Sequence, residues 1–253
     1  MLLTPFCAAA MLARVVRWQE AAALAAIVCV FMAKGPLVVL ARQRWVWKQR
    51  HPETAVAMRW IATELSVMLA CGLALLATGP WPAYLLLFGG AAAFSGLAVW
   101  VNVHNGQRGT AFQVASAVAL TSTSLTAALA ATGSIPRWCW WLWGLTAAQS
   151  AAGIFTVHAR LNARVAARKG DADANSRGPA IFFSALLGVA GIAAAAEGSC
   201  WVGAALLLAA VGYAAELVRQ RSAASLRMPL TLVGVQMLTL SLAYGAMVVR
   251  GLW

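Results

Sequence analysis

The chain has 253 residues, 62% of them hydrophobic and only 10% charged, whereas about a quarter of the residues of a soluble domain are charged. So few charges cannot cover a water-facing surface, which excludes a soluble globular protein and calls for lipid around most of the exterior. The net charge of +12 sits in short connections between apolar runs, where membrane topology places Lys and Arg, so it gives no ground for a nucleic-acid partner.

Nine apolar runs follow one another at residues 2–13, 21–41, 57–77, 82–101, 111–132, 138–157, 179–196, 201–218 and 229–249. Most are close to the ~20 residues that cross a hydrocarbon core. The expectation is an all-α, polytopic transmembrane bundle of about nine spans, forming a single integral membrane domain over residues 1–253. The first run is short, contains Pro5 and has no charge ahead of it, unlike a signal peptide with its basic leader. Either it is a half-helix or the natural start lies further upstream, and the upstream start is the expectation. Gly, Ala, Ser and Thr fill many runs, which lets helix backbones approach closely. Ser95 with Gly96, Gly188 with Gly191, and residues 121–126 are candidate contact faces.

The connections alternate in charge. Those after spans two, four, six and eight carry fourteen of the nineteen Lys and Arg residues, against four (Arg14, Arg17, Arg137 and Arg250) on the opposite side. This asymmetry predicts an amino terminus inside, a carboxyl terminus outside and a multi-pass membrane protein whose basic loops face anionic headgroups on the cytoplasmic side. Tryptophans fall at predicted span ends on both sides, as interfacial belts require.

The longest polar segment continues span six. Arg160, Arg164 and Arg168 recur at i, i+4, i+8 and predict one basic stripe on a helical extension, able to contact anionic lipid or a phosphate. Gly170 is expected to end that helix, with residues 171–178 as a loop.

Ionisable residues within spans are the first functional suspects, because burying a charge in lipid is costly. Lys34 and Glu64 qualify. Each lies seven residues from the inner end of its run, on consecutive antiparallel spans, so they are expected to pair at matching depth. Asn102, His104, Asn105, Gln113, Gln149, Glu216 and Gln236 fall toward the same side, and together these residues predict a polar pocket open to the cytoplasm. The plainer reading has Lys34 snorkelling, Glu216 pairing locally with Arg219, and the glutamines acting as interhelical hydrogen-bond partners worth ~0.6 kcal/mol each.

Catalytic signatures are missing: no G-x-x-x-x-G-K-[ST] phosphate loop, no H-E-x-x-H pair, no G-x-S-x-G elbow. The five cysteines are scattered, without a C-x-x-C pair, and read as small apolar residues; a Cys139–Cys200 disulfide is a remote option. The histidines His51, His104 and His158 are far apart in sequence. No metal and no cofactor is expected.

Met1-Leu-Leu-Thr-Pro5-Phe6, Lys34-Gly-Pro36-Leu, Val157-His-Ala-Arg160 and Gly234-Val-Gln236-Met-Leu-Thr-Leu-Ser241 together resemble the YwiC-like family of bacterial integral membrane proteins, over nearly the whole chain. Members typically open with an Arg-Glu-His-Gly-Ala-Trp-like stretch just before the segment matching Met1 to Phe6. The resemblance implies a bacterial membrane protein and no particular reaction. The span count and basic inner loops are also similar in architecture to intramembrane prenyltransferases of the UbiA type. The clustered carboxylates with which those enzymes hold Mg²⁺-diphosphate are absent here; the sixth connection offers only Asp171 and Asp173. Three function classes follow: a small-molecule permease using the polar pocket, an intramembrane enzyme acting on a lipid-like substrate, and a structural or assembly protein with no pocket. The substrate is not written in the sequence.

Overall fold

The computed structural model describes residues 2–49, 52–104, 109–169 and 177–253. Asn105, His51, Arg108, Gly170, Asp171 and Asp173 lie outside these residues, as does most of the loop expected at 171–178. Among the described residues the secondary structure is entirely helical: α1 Leu3–Ala13, α2 Trp18–Arg42, α3 Glu53–Thr78, α4 Trp81–Val103, α5 Thr110–Thr121, α6 Thr123–Thr132, α7 Arg137–Lys169, α8 Gly178–Ala196, α9 Cys200–Arg219, α10 Ala223–Leu226 and α11 Leu230–Leu252. Seven segments are long and apolar enough to cross a membrane: α2, α3, α4, α5 together with α6, α8, α9 and α11. The short α1 and the 33-residue α7 complete the sequence of nine.

The helix ends fall where the backbone chemistry requires them. Pro52, Pro80 and Pro229 stand immediately ahead of α3, α4 and α11, where a missing N–H costs nothing. The α8–α9 turn is closed by Gly198 at φ +86°. There Gly198 N donates to Ala195 O and Ser199 N to Ala194 O, the pair of bonds that caps a helix through a left-handed glycine. α2 contains Pro36 and runs on into a π-helical turn, Gln43–Trp47, that Lys48 ends at φ +52°.

The span expected at 111–132 is broken into α5 and α6 at Ser122. Four consecutive hydroxyls cause the break. Thr121, Ser122, Thr123 and Ser124 each donate to the carbonyl three residues back, at 2.7–3.0 Å, competing with the helical ladder. Thr123 also reaches Leu2 O at 2.9 Å, so α1 starts beside the break and packs along α6. At ~1.5 Å per residue α1, as described, is about 16 Å long. Its far end meets the end of α11, where the Arg14 guanidinium lies 4.1 Å from the Trp253 ring centroid.

α7 is the hub. It packs against α1, α5, α6, α8, α9, α10 and α11, while α2 and α3 form a hairpin beside α4. Nine of the ten residues of α6 are buried, and so are Ala152, Ala205, Ala209 and Val248 in the central cluster. Leu86, Val189, Ile192 and Val211 are among the many apolar side chains that stay exposed, the surface expected against lipid. Of the proposed small-residue faces, residues 121–126 and Gly191 lie at contacts, whereas a Cβ on Gly96 would meet nothing within 4 Å.

Candidate functional site

The polar side chains that converge are strung along α7. Near the middle, Gln149 Nε2 donates to Tyr213 Oη of α9 at 2.8 Å and to Ser241 Oγ of α11 at 2.9 Å. Tyr213 Oη donates back to Gln149 O at 3.1 Å, and Tyr244 Oη donates to Leu145 O at 3.0 Å. Two turns further along α7, Gln220 Nε2 donates to Thr156 O at 3.3 Å. Both contacts join residues 64 apart, so parallel α7 and α9 keep one register over seven residues, the heptad spacing that brings the same faces together again. Gly153 sits between them, and a Cβ there would lie 3.1 Å from Tyr213 Oη.

Toward the basic end, the Arg160 guanidinium pairs with the Glu216 carboxylate of α9, with side chains 2% and 4% exposed. Arg160 Nη2 also donates to Ser225 O of α10 at 2.6 Å. Gln220 Nε2 shares Glu216 Oε1 at 3.3 Å, and Arg164 donates to Met228 O. Arg160 leans back toward the start of α7, as helical side chains do, which carries its charge into the gap between α7 and α9. On the other flank of α7, His158 Nε2 lies 2.9 Å from Gln113 Oε1 and Nδ1 3.4 Å from Thr110 Oγ1 of α5.

The three arginines therefore do not form one lipid-facing stripe. Arg160 is buried, Arg164 is partly buried, and Arg168 alone is fully exposed. The hydrophobic neighbours at Ala159 and Ala163 and the approach of α9 close over the first of them. Glu216 does not pair with Arg219. Its carboxylate faces α7 and takes Arg160 instead.

Lys34 and Glu64 are not brought together. They form no ion pair; Glu64 is buried with Oε2 unpartnered, and Lys34 is half-buried on α2. Their depths do match: Thr54 hydrogen-bonds Gln43 across the α2–α3 hairpin, and Lys34 and Glu64 lie at nearly equal distances along their helices from that contact, so it is the pairing and not the depth that fails. Glu64 lies instead close enough to Cys29 to interact electrostatically. Asn102 is buried and donates to Ala98 O at 2.7 Å, while its own carbonyl accepts from Arg42 at 3.1 Å. His104 is exposed, bonded to Trp100 O at 2.8 Å. Gln236 is half-buried on α11 and stands apart from the Gln149 cluster. Of the candidates among the described residues, Gln113, Gln149 and Glu216 bond to side chains of α7 or belong to it, whereas Lys34, Glu64, Asn102, His104 and Gln236 share no hydrogen bond with that set.

Sequence reasoning missed Tyr213, Gln220, Ser225 and Ser241. A signal was present: Tyr213 and Gln220 repeat the seven-residue spacing of Gln149 and Thr156. Gln43 was missed as well; it is 5% exposed and accepts from Thr54 Oγ1 at 2.6 Å. All five cysteines are free. No group of His, Cys, Asp and Glu among the described residues could hold a metal ion.

Comparison with known families gives one match, to a model described as YwiC-like protein, over residues 1–129. No curated protein and no solved structure matches the chain.

Proposed function

The chain belongs to the YwiC-like family, and from that premise we propose that it is a permease of the bacterial cytoplasmic membrane that binds a small anion at the basic end of α7. One observation carries the reading: among the described residues, the guanidiniums of Arg160 and Arg164 enter the α7–α9–α10 contact, with Arg177 beside them on the Gln220 carbonyl, against a single carboxylate, Glu216. Excess positive charge within a membrane bundle is costly. A structural pair would be balanced, whereas a site that receives an anion keeps a charge in reserve. The hydrogen-bonded groups further along α7, at Gln149, Tyr213 and Ser241, continue the polar path toward the middle of the bundle.

The basic connections set the orientation, with the arginine site toward the cytoplasm and anionic headgroups. Reporter fusions after Arg168 and after Gly79 test it. Cytoplasmic signal at the first and periplasmic signal at the second are expected, and the reverse at both would overturn the orientation.

Function is tested on the purified chain in nanodiscs by scanning fluorimetry with succinate, inorganic phosphate, choline and glucose. The anions alone are expected to raise the unfolding midpoint. The stabilising anion, radiolabelled, is then expected to exchange across proteoliposomes carrying the protein. If no anion shifts the midpoint, or if exchange equals that of protein-free vesicles, the permease reading falls and a structural role replaces it.

A further inference from the structure

Around the Arg160–Glu216 pair four buried polar atoms have no hydrogen-bond partner among the described residues: Arg160 Nε, Arg164 Nε, Ser225 Oγ and Gln220 Oε1. They belong to one connected cluster. Arg160 touches Glu216 and the Ser225 carbonyl, and Gln220 shares the Glu216 carboxylate. Arg164, one turn along α7, is fixed to Met228 O just beyond α10. Arg160 and Gln220 are 2% and 1% exposed. Native interiors leave few such groups unsatisfied, because each carries the full cost of its desolvation. Finding four in one cluster, three of them on side chains that are otherwise anchored, points to a bound group and not to loose packing.

Their chemistry is selective. Arg160 Nε–H and Arg164 Nε–H can only donate, and Ser225 supplies a hydroxyl. Gln220 presents its oxygen, because its amide nitrogen is committed to Thr156 O and Glu216 Oε1, both acceptors. The unmet demand is three donors and one acceptor beside an excess of positive charge, Arg160, Arg164 and Arg177 against Glu216 among the described residues. A carboxylate or a sulfate offers oxygens that only accept. A singly ionised phosphate offers oxygens for the three donors and a P–OH for the glutamine, and its charge opposes the excess.

We propose that this cluster is a binding site for a terminal phosphate group, carried either by a soluble phosphate monoester or by a monoester lipid headgroup. The proposal rests on the anion-binding reading of α7 and narrows it to one ligand chemistry. A phosphodiester headgroup lacks the P–OH and is a poorer match for Gln220.

The test uses the full chain in phosphatidylcholine nanodiscs at constant ionic strength. Inorganic phosphate and glycerol phosphate are titrated against unfolding midpoint, with sulfate and chloride as controls. A parallel set of nanodiscs contains phosphatidic acid. A saturable rise with the soluble phosphates assigns a solute, and a rise confined to phosphatidic acid assigns a lipid; either supports the site. Ser225→Ala removes one donor, and Arg164→Lys keeps the charge while removing the Nε–H. Each is expected to weaken phosphate binding by about tenfold, the loss of one hydrogen bond to a charged group. Gln220→Glu, which sets a like charge against the phosphate, is expected to abolish it. Sulfate as effective as phosphate overturns the proposal, and so does unchanged affinity in Ser225→Ala and Arg164→Lys. Stabilisation by succinate with none by phosphate or phosphatidic acid also overturns it and leaves the anion permease standing, whereas silence from every anion removes both.

Discussion

Arg160 of α7 and Glu216 of α9 form a buried ion pair that joins two parallel helices at the basic end of the bundle. The pair is not isolated, since Gln220 and the Ser225 carbonyl complete its hydrogen bonds. Those additional bonds offset part of the cost of taking both charges out of water.

The stability of the pair follows from that environment. Arg160→Met alone leaves a buried carboxylate, and Glu216→Gln alone leaves two guanidiniums without an anion. Each single change is expected to cost about 3–5 kcal/mol. The double change removes both charges and should recover a large part of that loss. Unfolding of the four proteins in nanodiscs gives the coupling directly. Strictly additive losses would show that the two charges do not depend on each other.

A second expectation concerns the contact two turns away. Tyr213→Phe removes the hydroxyl that both accepts from Gln149 Nε2 and donates to Gln149 O. Interhelical hydrogen bonds in membranes are worth about 0.6 kcal/mol, at most ~1.7, so the loss should be of that order. Gly153→Ala should cost more than its helix propensity returns, because the new methyl would meet Tyr213 Oη at 3.1 Å. In a Tyr213→Phe background that penalty should shrink, a non-additivity that a double-mutant cycle on unfolding midpoints detects.

How far the sequence leads depends on the length scale. Spans and helix ends were legible because ~20 consecutive apolar residues, together with Pro80, Gly198 and Pro229, set them locally. The basic face was legible because Arg and Lys cluster in the connections. Pairings were not. Arg160, Arg164 and Arg168 share one helical face, yet whether that face meets lipid or α9 depends on packing between residues 56 apart. Lys34 and Glu64 share a depth, yet whether the two side chains turn toward each other depends on the rotation of α2 and α3, which hydropathy does not reveal. The hydroxyl run at 121–124 was legible as a contact face but not as a break, because its side chains compete with the backbone only in a particular rotamer.

The α8–α9 hairpin supplies a third test. A Cβ on Gly191 would lie 3.0 Å from Gly203 O and 3.0 Å from Leu207 N, and a Cβ on Gly203 would lie 2.8 Å from Gly191 O. These are backbone obstacles, which cannot swing aside as a side chain end can. Gly191→Ala and Gly203→Ala are therefore each expected to lose about 1–3 kcal/mol through overpacking, despite alanine's better helix propensity. Gly96→Ala on α4, where nothing lies within 4 Å, serves as the contrast and should be neutral or slightly stabilising. If Gly191→Ala and Gly96→Ala unfold at the same midpoint, the close approach of α8 and α9 is wrong.

Lys34 and Glu64 give the last prediction, and the structure reverses its sign. Two charges that met in the bundle would each justify the other, and removing one would hurt more than removing both. Here Glu64 is buried, with Oε2 unpartnered and no ion pair, and the group near it on α2 is Cys29. Cys29 lies five residues before Lys34, about 7.5 Å along the helix axis. Burying a carboxylate without a partner is costly, so Glu64→Gln, which keeps the shape and removes the charge, should leave folded yield unchanged or raise it. Lys34 is half-buried and can extend its ammonium along the helix toward the interface, so Lys34→Met should change stability by no more than about 0.5 kcal/mol. With no shared contact, the two effects should add within ~0.5 kcal/mol. The measurement is unfolding of the single and double variants in nanodiscs, beside the Arg160/Glu216 set as a positive control for coupling. A coupling of about 1 kcal/mol or more between Lys34 and Glu64 would mean that the two side chains turn toward each other in the membrane and meet. The α2–α3 hairpin, and not α7, would then hold the principal charged pair of the bundle.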